Sequence, residues 1–254
     1  MNKYPILYIN LDKSLDRKEF IENQFKKYNI NGVRISAISY ETILNLDYGT
    51  VQNIKYKIKS KNPPNNRQLA CILSHIKCLL EFEKMDDNNI IIIMEDDISL
   101  ELINKWNTTI ENIINQAPKI WECIKIDNCN PKLVKSNIKK YQQGINYTSN
   151  LKRGSLNLFH ILRNYSAGFY IINKQFLKSF YDKYFNNNCF NLFSETESLV
   201  SETLLFSIKN CYDYTQPLVF SHGFQRNITE DHNKNNSLNK WEQISKNLIL
   251  KYYL

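Results

Sequence analysis

Three carboxylates in a row, Glu95-Asp96-Asp97, follow directly on the apolar run Ile90-Ile91-Ile92-Ile93-Met94. Five consecutive apolar residues are the mark of a strand buried on both faces of a sheet. Ligands of open α/β sheets bind at the carboxyl ends of such strands. Adjacent like charges repel, so an acidic triplet at that rim is costly unless a cation neutralises it. Hard divalent ions such as Mg2+ and Mn2+ prefer carboxylate oxygens, and a metal held there could grip a diphosphate and act as a Lewis acid on a departing phosphate. The competing reading is a solvated acidic turn, or a helix start where acids meet the dipole.

A second set of reactive side chains lies on the clearest helix of the chain. In residues 67–85 the apolar positions Leu69, Ile72, Leu73, Ile76, Leu79 and Leu80 recur at three and four, the period of an amphipathic helix. Cys71, His75 and Cys78 then share one face at i, i+4 and i+7, a geometry that can bind zinc, although a structural zinc wants a fourth ligand and buried free thiols are ordinary. His75 flanks the apolar stripe, where its imidazole either orients a ligand hydroxyl or hydrogen-bonds a backbone carbonyl while packing the helix on the sheet.

The elements that must position these groups alternate. Residues 5–11 read as a strand, 14–27 as a helix with Leu15, Phe20, Ile21 and Phe25 facing inward, and 33–38 as a second strand. Residues 47–66 lose any pattern and end in the turn-rich Asn62-Pro63-Pro64-Asn65-Asn66. Beyond the acidic triplet the expected order is helix 100–116, strand 121–126 closing on Asp127, a long basic and irregular stretch 128–165, and strand 168–172. Helices 174–184 and 196–208, a short strand 218–220 and a helix near 238–250 in a C-terminal tail, 227–254, complete it. A structureless stretch as long as 128–165 is usually functional, and it is expected to act as a lid. The alternation predicts an α/β class with a mostly parallel sheet flanked by helices, in a single domain over residues 1–254.

Composition narrows the class. The 254 residues are 43% hydrophobic and 13% aromatic with only 6 Gly and 6 Pro, which excludes disordered and collagen-like chains. A formal charge of +8 favours phosphate-bearing or otherwise anionic ligands. Six scattered cysteines without a CxxC argue against a disulfide scaffold and read as reduced thiols. The apolar stretch after Met1 is too short for a signal peptide, and no run approaches the ~20 apolar residues of a membrane helix, so the chain is expected to be cytoplasmic, with peripheral membrane contact left open.

Three stretches in order, Ile6-Leu7-Tyr8-Ile9-Asn10-Leu11-Asp12-Lys13-Ser14-Leu15-Asp16-Arg17, Gln68-Leu69-Ala70-Cys71-Ile72-Leu73-Ser74-His75 and Ile93-Met94-Glu95-Asp96-Asp97-Ile98, together resemble glycosyltransferase family 25. The likeness covers about the first hundred residues well and continues weakly through Ala167-Gly168-Phe169-Tyr170-Ile171-Ile172 and Pro217-Leu218-Val219-Phe220. That family includes lipooligosaccharide and collagen hydroxylysine galactosyltransferases.

The resemblance implies a GT-A, Rossmann-like fold that moves a hexose from a nucleotide diphosphate sugar, a UDP-sugar first, to a saccharide, lipid-linked or protein acceptor, with inversion and with Mn2+ or Mg2+ as cofactor. By that mapping Asp97 is the direct metal ligand and a catalytic residue, while Glu95 or Asp96 contacts ribose or metal-bound water and Glu95 is a second candidate ligand. His222, after the last short strand, is the ligand expected near the C-terminus, better placed than His232. Asn10, Leu11, Ala37, Ser74, His75 and Gly168 line the nucleotide or substrate site, and Arg17 meets phosphate, as a guanidinium fork can. The alternative for Arg17 is a surface pair with Asp12 or Asp16. An inverting transferase needs a base near the acceptor hydroxyl, and Glu202 is the first candidate, ahead of Glu195 and Glu197, against the reading of all three as solvated helix residues. His160 with Lys152, Arg153 and Arg163 forms a basic cluster that could close over a diphosphate or remain a solvated face.

One departure stands out: Ala37-Ile38-Ser39-Tyr40 lies where the family carries Asp-Gly after the second strand, so donor contacts there are expected to differ. Two other functions compete. A basic Mg2+-dependent nuclease or nucleic-acid-binding protein would also use clustered carboxylates and positive charge, although no nucleic-acid partner is expected here. A family member that binds nucleotide sugar without catalysis is the other.

Overall fold

The computed structural model describes residues 3–149, 166–193, 199–222 and 232–254, with side chains in the last stretch from 240 onward. In chain order the elements are β1 (Ile6–Asn10), α1 (Leu15–Lys27), β2 (Gly32–Ser36), β3 (Tyr48–Val51), β4 (Ile54–Ile58), α2 (Asn66–Glu83), β5 (Ile90–Glu95), β6 (Ile98–Ser99), α3 (Ile110–Asn115) and β7 (Cys123–Lys125). There follow α4 (Pro131–Gln142), β8 (Tyr147–Ser149), β9 (Phe169–Asn173), α5 (Lys174–Tyr184), β10 (Phe185–Asn186), β11 (Cys189–Leu192), α6 (Ser201–Leu205), β12 (Cys211–Tyr214), β13 (Phe220–Ser221) and α7 (His232–Tyr252).

Seven strands form the main sheet in the order β2-β1-β5-β9-β7-β12-β8. β1 pairs in parallel with β2 and β5, and β7 with β12. β9 runs antiparallel to both β5 and β7, and β8 antiparallel to β12. Five of the seven strands therefore point one way, the mostly parallel α/β arrangement expected from the alternation. β1, β5 and β7 end on one edge, and β9 enters the sheet from it, so residues 10, 95–97, 127 and 168 converge.

Each central strand is apolar on both faces because helices cover both. Leu7, Ile9, Ile91, Ile93, Tyr170 and Ile172 face α2 and α5, meeting Leu69, Leu73, Ile76, Phe176 and Phe180. Ile6, Tyr8, Ile92, Met94, Phe169 and Ile171 face the other way, onto Ile21, Phe25, Ile110 and Ile113. At about 1.5–3 kcal/mol for each fully buried side chain of this size, these two layers hold the site-bearing edge rigid.

Helix α2 starts where the turn-rich stretch predicts, and it does so through a reciprocal cap. Asn65 Oδ1 accepts from Gln68 N at 2.9 Å and Gln68 Oε1 accepts from Asn65 N at 2.9 Å, satisfying two donors the helix end would leave open. That fixes the rotation of the helix carrying Cys71, Ser74 and His75.

Several expectations are corrected. Residues 47–66 hold a hairpin, β3–β4, joined by Gln52 and Asn53 at φ 47° and 70°, the two left-handed residues of a tight hairpin turn. The stretch 128–165 contains α4, capped by Asn130 and started by Pro131, and the edge strand β8, while 150–165 lie outside the described residues. The helix expected over 100–116 is only α3 after a short 3-10 turn at Ile103–Lys105, because Thr109 restarts the chain as an N-cap for Asn112. The helix expected over 196–208 is α6 alone among the described residues. Leu15 is 68% exposed, not inward-facing. The C-terminal segment does not trail as a polar tail: α7 packs on α4, burying Ile249 and donating from Ser245 Oγ to the Cys129 carbonyl.

Candidate active site

The carboxyl end of β1 supplies Asn10, buried and fully engaged. Its Nδ2 donates to Asp96 Oδ2 at 2.7 Å and to the Ser14 carbonyl at 3.1 Å, while Arg34 Nε donates to its Oδ1 at 2.9 Å. Arg17, on the first turn of α1, places Nη1 3.2 Å from Asp96 Oδ1. Its partner is thus Asp96 rather than Asp12 or Asp16; Asp12 pairs instead with Arg34 and accepts from Ser36 Oγ. Burial pushes the Asp96 carboxyl up to about 6, against the pull of Asn10 and Arg17 and with help from Asp97. Leu11 closes the β1–α1 turn through its carbonyl, which accepts from Ser14 N.

Glu95 and Asp97 point to different sides of the turn. Glu95 Oε1 lies 3.2 Å from His75 Nε2, and His75 Nδ1 lies 2.9 Å from the Tyr170 hydroxyl. The imidazole is 1% exposed. Burial alone would lower its pKa, but Cys71 and Glu95 outweigh that and raise it to about 10, so the ring carries charge beside Glu95. His75 therefore binds side chains, not the backbone carbonyl expected of a packing histidine. Asp97 Oδ2 accepts from Ser221 Oγ at 3.1 Å, and its carbonyl accepts from His222 N at 2.6 Å. His222 is exposed and its ring lies tilted against Phe20, with centroids 4.4 Å apart; burial and Lys246 lower its pKa, against Glu101 and Asp97. Among the described residues, the one group of three metal-binding side chains whose ligand atoms all lie within 4.8 Å of one another is Cys71, His75 and Glu95. Cys78, expected on the same helix face, is fully buried in the core and outside it.

Ser74 spends its hydroxyl on backbone, accepting from Ile38 N at 2.9 Å and donating to the Ala70 carbonyl at 2.7 Å, which pins the chain after β2 to α2. Ala37 N donates to the Asn10 carbonyl. Where the family's Asp-Gly is lost, Tyr40 is flanked by Lys13 Nζ at 5.1 Å and the Arg67 guanidinium at 5.0 Å, a basic aromatic rim.

Asp127, after β7 and across β9 from the acidic triplet, reads in the sequence only as the end of a strand. It is buried; its Oδ1 accepts from Phe169 N at 3.0 Å and its Oδ2 from Ser166 Oγ. Burial raises its pKa to about 6, with Lys125 and these hydrogen bonds opposing and Glu95 assisting. Ser166 sits at φ 96°, and its N donates to Glu202 Oε1 at 3.0 Å, so Ser166 bridges Asp127 to the candidate base. Glu202 Oε2 accepts from Ser201 Oγ at 3.0 Å. Gly168 admits these neighbours by having no side chain: a Cβ there would meet Ile98 Cδ1 at 2.7 Å and Asp127 Oδ2 at 3.0 Å. Glu195, Glu197, His160, Lys152, Arg153 and Arg163 lie outside the described residues, as does the side chain of His232.

Carboxylates thus gather at the carboxyl edge of an α/β sheet, in a chain that is basic overall. The sequence profile of glycosyltransferase family 25 (LPS biosynthesis protein) matches residues 3–192, and the chain belongs to that family and is a glycosyltransferase. No curated protein matches significantly. Among solved structures, the chain is similar to a glycosyltransferase involved in the glycosylation of the major capsid of PBCV-1, at 10% identity and TM-score 0.35, over 95% of this chain and 98% of that one. No helix among the described residues is long and apolar enough to cross a membrane.

Proposed function

We propose that the protein transfers a hexose from a nucleotide diphosphate sugar, a UDP-sugar first, to a saccharide acceptor that is free, lipid-linked or on protein, with inversion. The observation that carries this is the convergence of Asn10, Glu95, Asp96, Asp97 and Asp127 on one sheet edge. The donor types suit a divalent ion of the Mn2+ or Mg2+ class, with carboxylates from Asp97 and from Glu95, whose side chain is 31% exposed, and an imidazole from His222, whose N donates to the Asp97 carbonyl; the three side chains would have to draw together around it. Bound there, the metal would neutralise charge on the leaving diphosphate.

The chain's own residues do the rest. Arg17 and Asn10 hold Asp96 rigid, so the turn presenting Asp97 keeps its shape. Lys13 and Arg67 beside Tyr40 offer the anionic donor a basic rim in place of the lost Asp-Gly. Glu202 takes the proton of the acceptor hydroxyl, its carboxylate oriented by Ser166 N and Ser201 Oγ.

A thermal-shift panel of nucleotide diphosphates and nucleotide sugars, with and without Mn2+, tests the proposal. A ligand at about a hundred times its Kd adds ~2.7 kcal/mol, which at roughly 2–4 °C per kcal/mol gives a shift of about 5–10 °C. UDP compounds with Mn2+ should give it and oligonucleotides should not. No shift with any nucleotide, together with a salt-dependent oligonucleotide shift, would favour the nucleic-acid reading. Binding without slow metal-dependent donor hydrolysis would leave a non-catalytic sugar-nucleotide binder.

A further inference from the structure

We propose a second cation site, one for a thiophilic divalent ion of the zinc class, built from Cys71 Sγ, His75 Nε2 and Glu95 at the floor of the same edge. The three donors come from two elements locked together by the core: Cys71 and His75 lie one turn apart on α2, and Glu95 ends β5. Their ligand atoms all lie within 4.8 Å of one another. Tetrahedral coordination with bonds of about 2.0 Å places neighbouring donors roughly 3.3 Å apart, and His75 Nε2 and Glu95 Oε1 are 3.2 Å apart.

The supporting contacts are those a ligating histidine needs. The ring nitrogen opposite the metal must be held by a partner that fixes its orientation. Tyr170, wholly buried, does this, with its hydroxyl 2.9 Å from Nδ1. The thiol is held too, Cys71 Sγ lying 3.6 Å from Ser201 Oγ. His75 is buried, while Cys71 and Glu95 are partly exposed, so a fourth ligand to the ion would come from solvent. Thiolate, imidazole and carboxylate together select Zn2+ or Co2+ over Mn2+ or Mg2+, which favour all-oxygen sets. On binding, the Cys71 thiol and the charged His75 ring each give up a proton to solvent, and the ring ligates through Nε2 in its neutral form with Nδ1–H kept toward the Tyr170 hydroxyl.

The site goes beyond the nucleotide-sugar reading and shares with it Glu95 and His75, while Cys71 belongs to it alone. Zn2+ seated on Cys71 and His75 would hold Glu95 away from the Asp97 side of the turn.

Cobalt tests this directly, since a Co2+–thiolate bond gives a near-ultraviolet charge-transfer absorption that oxygen and nitrogen ligands do not. Titrating the full chain under reducing conditions, without nucleotide, should give one equivalent of bound Co2+ carrying that band. Cys71→Ser should lose the band, whereas Cys78→Ser and Asp97→Asn should keep it. Cobalt binding without the band, a band that survives in Cys71→Ser, or no binding at all overturns the proposal. Should Cys71→Ser not fold, alkylation of Cys71 in the wild-type chain, followed by mass spectrometry, decides the matter: Zn2+ should slow it at least tenfold, and an unchanged rate overturns the site. Because the titration contains no nucleotide, failure of the donor site to bind UDP leaves its outcome unaffected.

Discussion

Asp96 and Asp127 stand just past the ends of two parallel-running strands, both buried and both pushed up to about 6 by that burial, yet they are held in opposite ways. Asp96 is clamped by a cation and an amide, Arg17 and Asn10. Asp127 is held by a hydroxyl and a backbone N–H, those of Ser166 and Phe169, and through Ser166 it reaches Glu202. One half of the edge therefore has its charge fixed by neighbours from the first strand and helix, which suits holding a phosphate-bearing donor. The other half holds its carboxylates by neutral donors, a hydroxyl and backbone N–H groups, which on the proposed reading suits a carboxylate that activates an acceptor. The same strand-end position has two kinds of partner because different elements close over it.

That division can be broken from either side. The largest effect should come from Asp97→Ala, which removes a carboxylate that accepts from Ser221 Oγ. Transfer should fall by ~100-fold or more, with the melting temperature close to wild type in the absence of ligand. A transfer rate within threefold of wild type would remove Asp97 from the chemistry. Gly168→Ala should come next, since the added methyl meets Ile98 and Asp127. Overpacking of this kind costs about 1–3 kcal/mol, or ~2–12 °C in Tm, and a calorimetric scan would reveal it.

The two halves also predict a pH dependence. A carboxyl whose folded pKa lies above its unfolded value of 3.8 binds more protons in the folded state between about pH 4 and 6. Its contribution to stability is therefore greatest at low pH and declines as pH rises through that window. Asp127→Asn should gain stability relative to wild type between pH 4 and 7, measured by urea unfolding. A constant difference across that range would mean that Asp127 does not titrate there. The smallest effect belongs to Arg34→Lys, which gives up the fork that reaches Asn10 and Asp12 together. With the Asp12 side fully exposed, the expected change in the Tm is about 2 °C or less, together with a small rise in the KM for donor.

The sequence made the donor half legible and the acceptor half much less so. The acidic triplet announces itself by residue type and position, Asn10 and Arg17 by the family resemblance, and the fold brings Asn10, Arg17 and Asp96 into contact. Asp127 follows only three paired strand residues, and its partner Ser166 adopts φ 96° with no glycine to signal it. Tyr170 reads as one more apolar strand residue until its hydroxyl is seen beside His75. The hairpins β3–β4 and β10–β11 were missed for one reason: Gln52-Asn53 and Asn187-Asn188 take left-handed turn positions where glycine is the usual signal. In β4 the alternation Ile54-Lys55-Tyr56-Lys57-Ile58 was nonetheless present. Helix α4 was hidden by its four lysines, although Leu133, Val134 and Asn137 form a buried face.

Calorimetric titration of UDP into the wild-type chain and Asp97→Asn, each with and without Mn2+, probes the donor half most directly. The account predicts wild-type binding that tightens at least tenfold with Mn2+ and a variant in which the metal makes no difference. Equal metal enhancement in both proteins, or no UDP binding by the wild type with Mn2+ present, would contradict it.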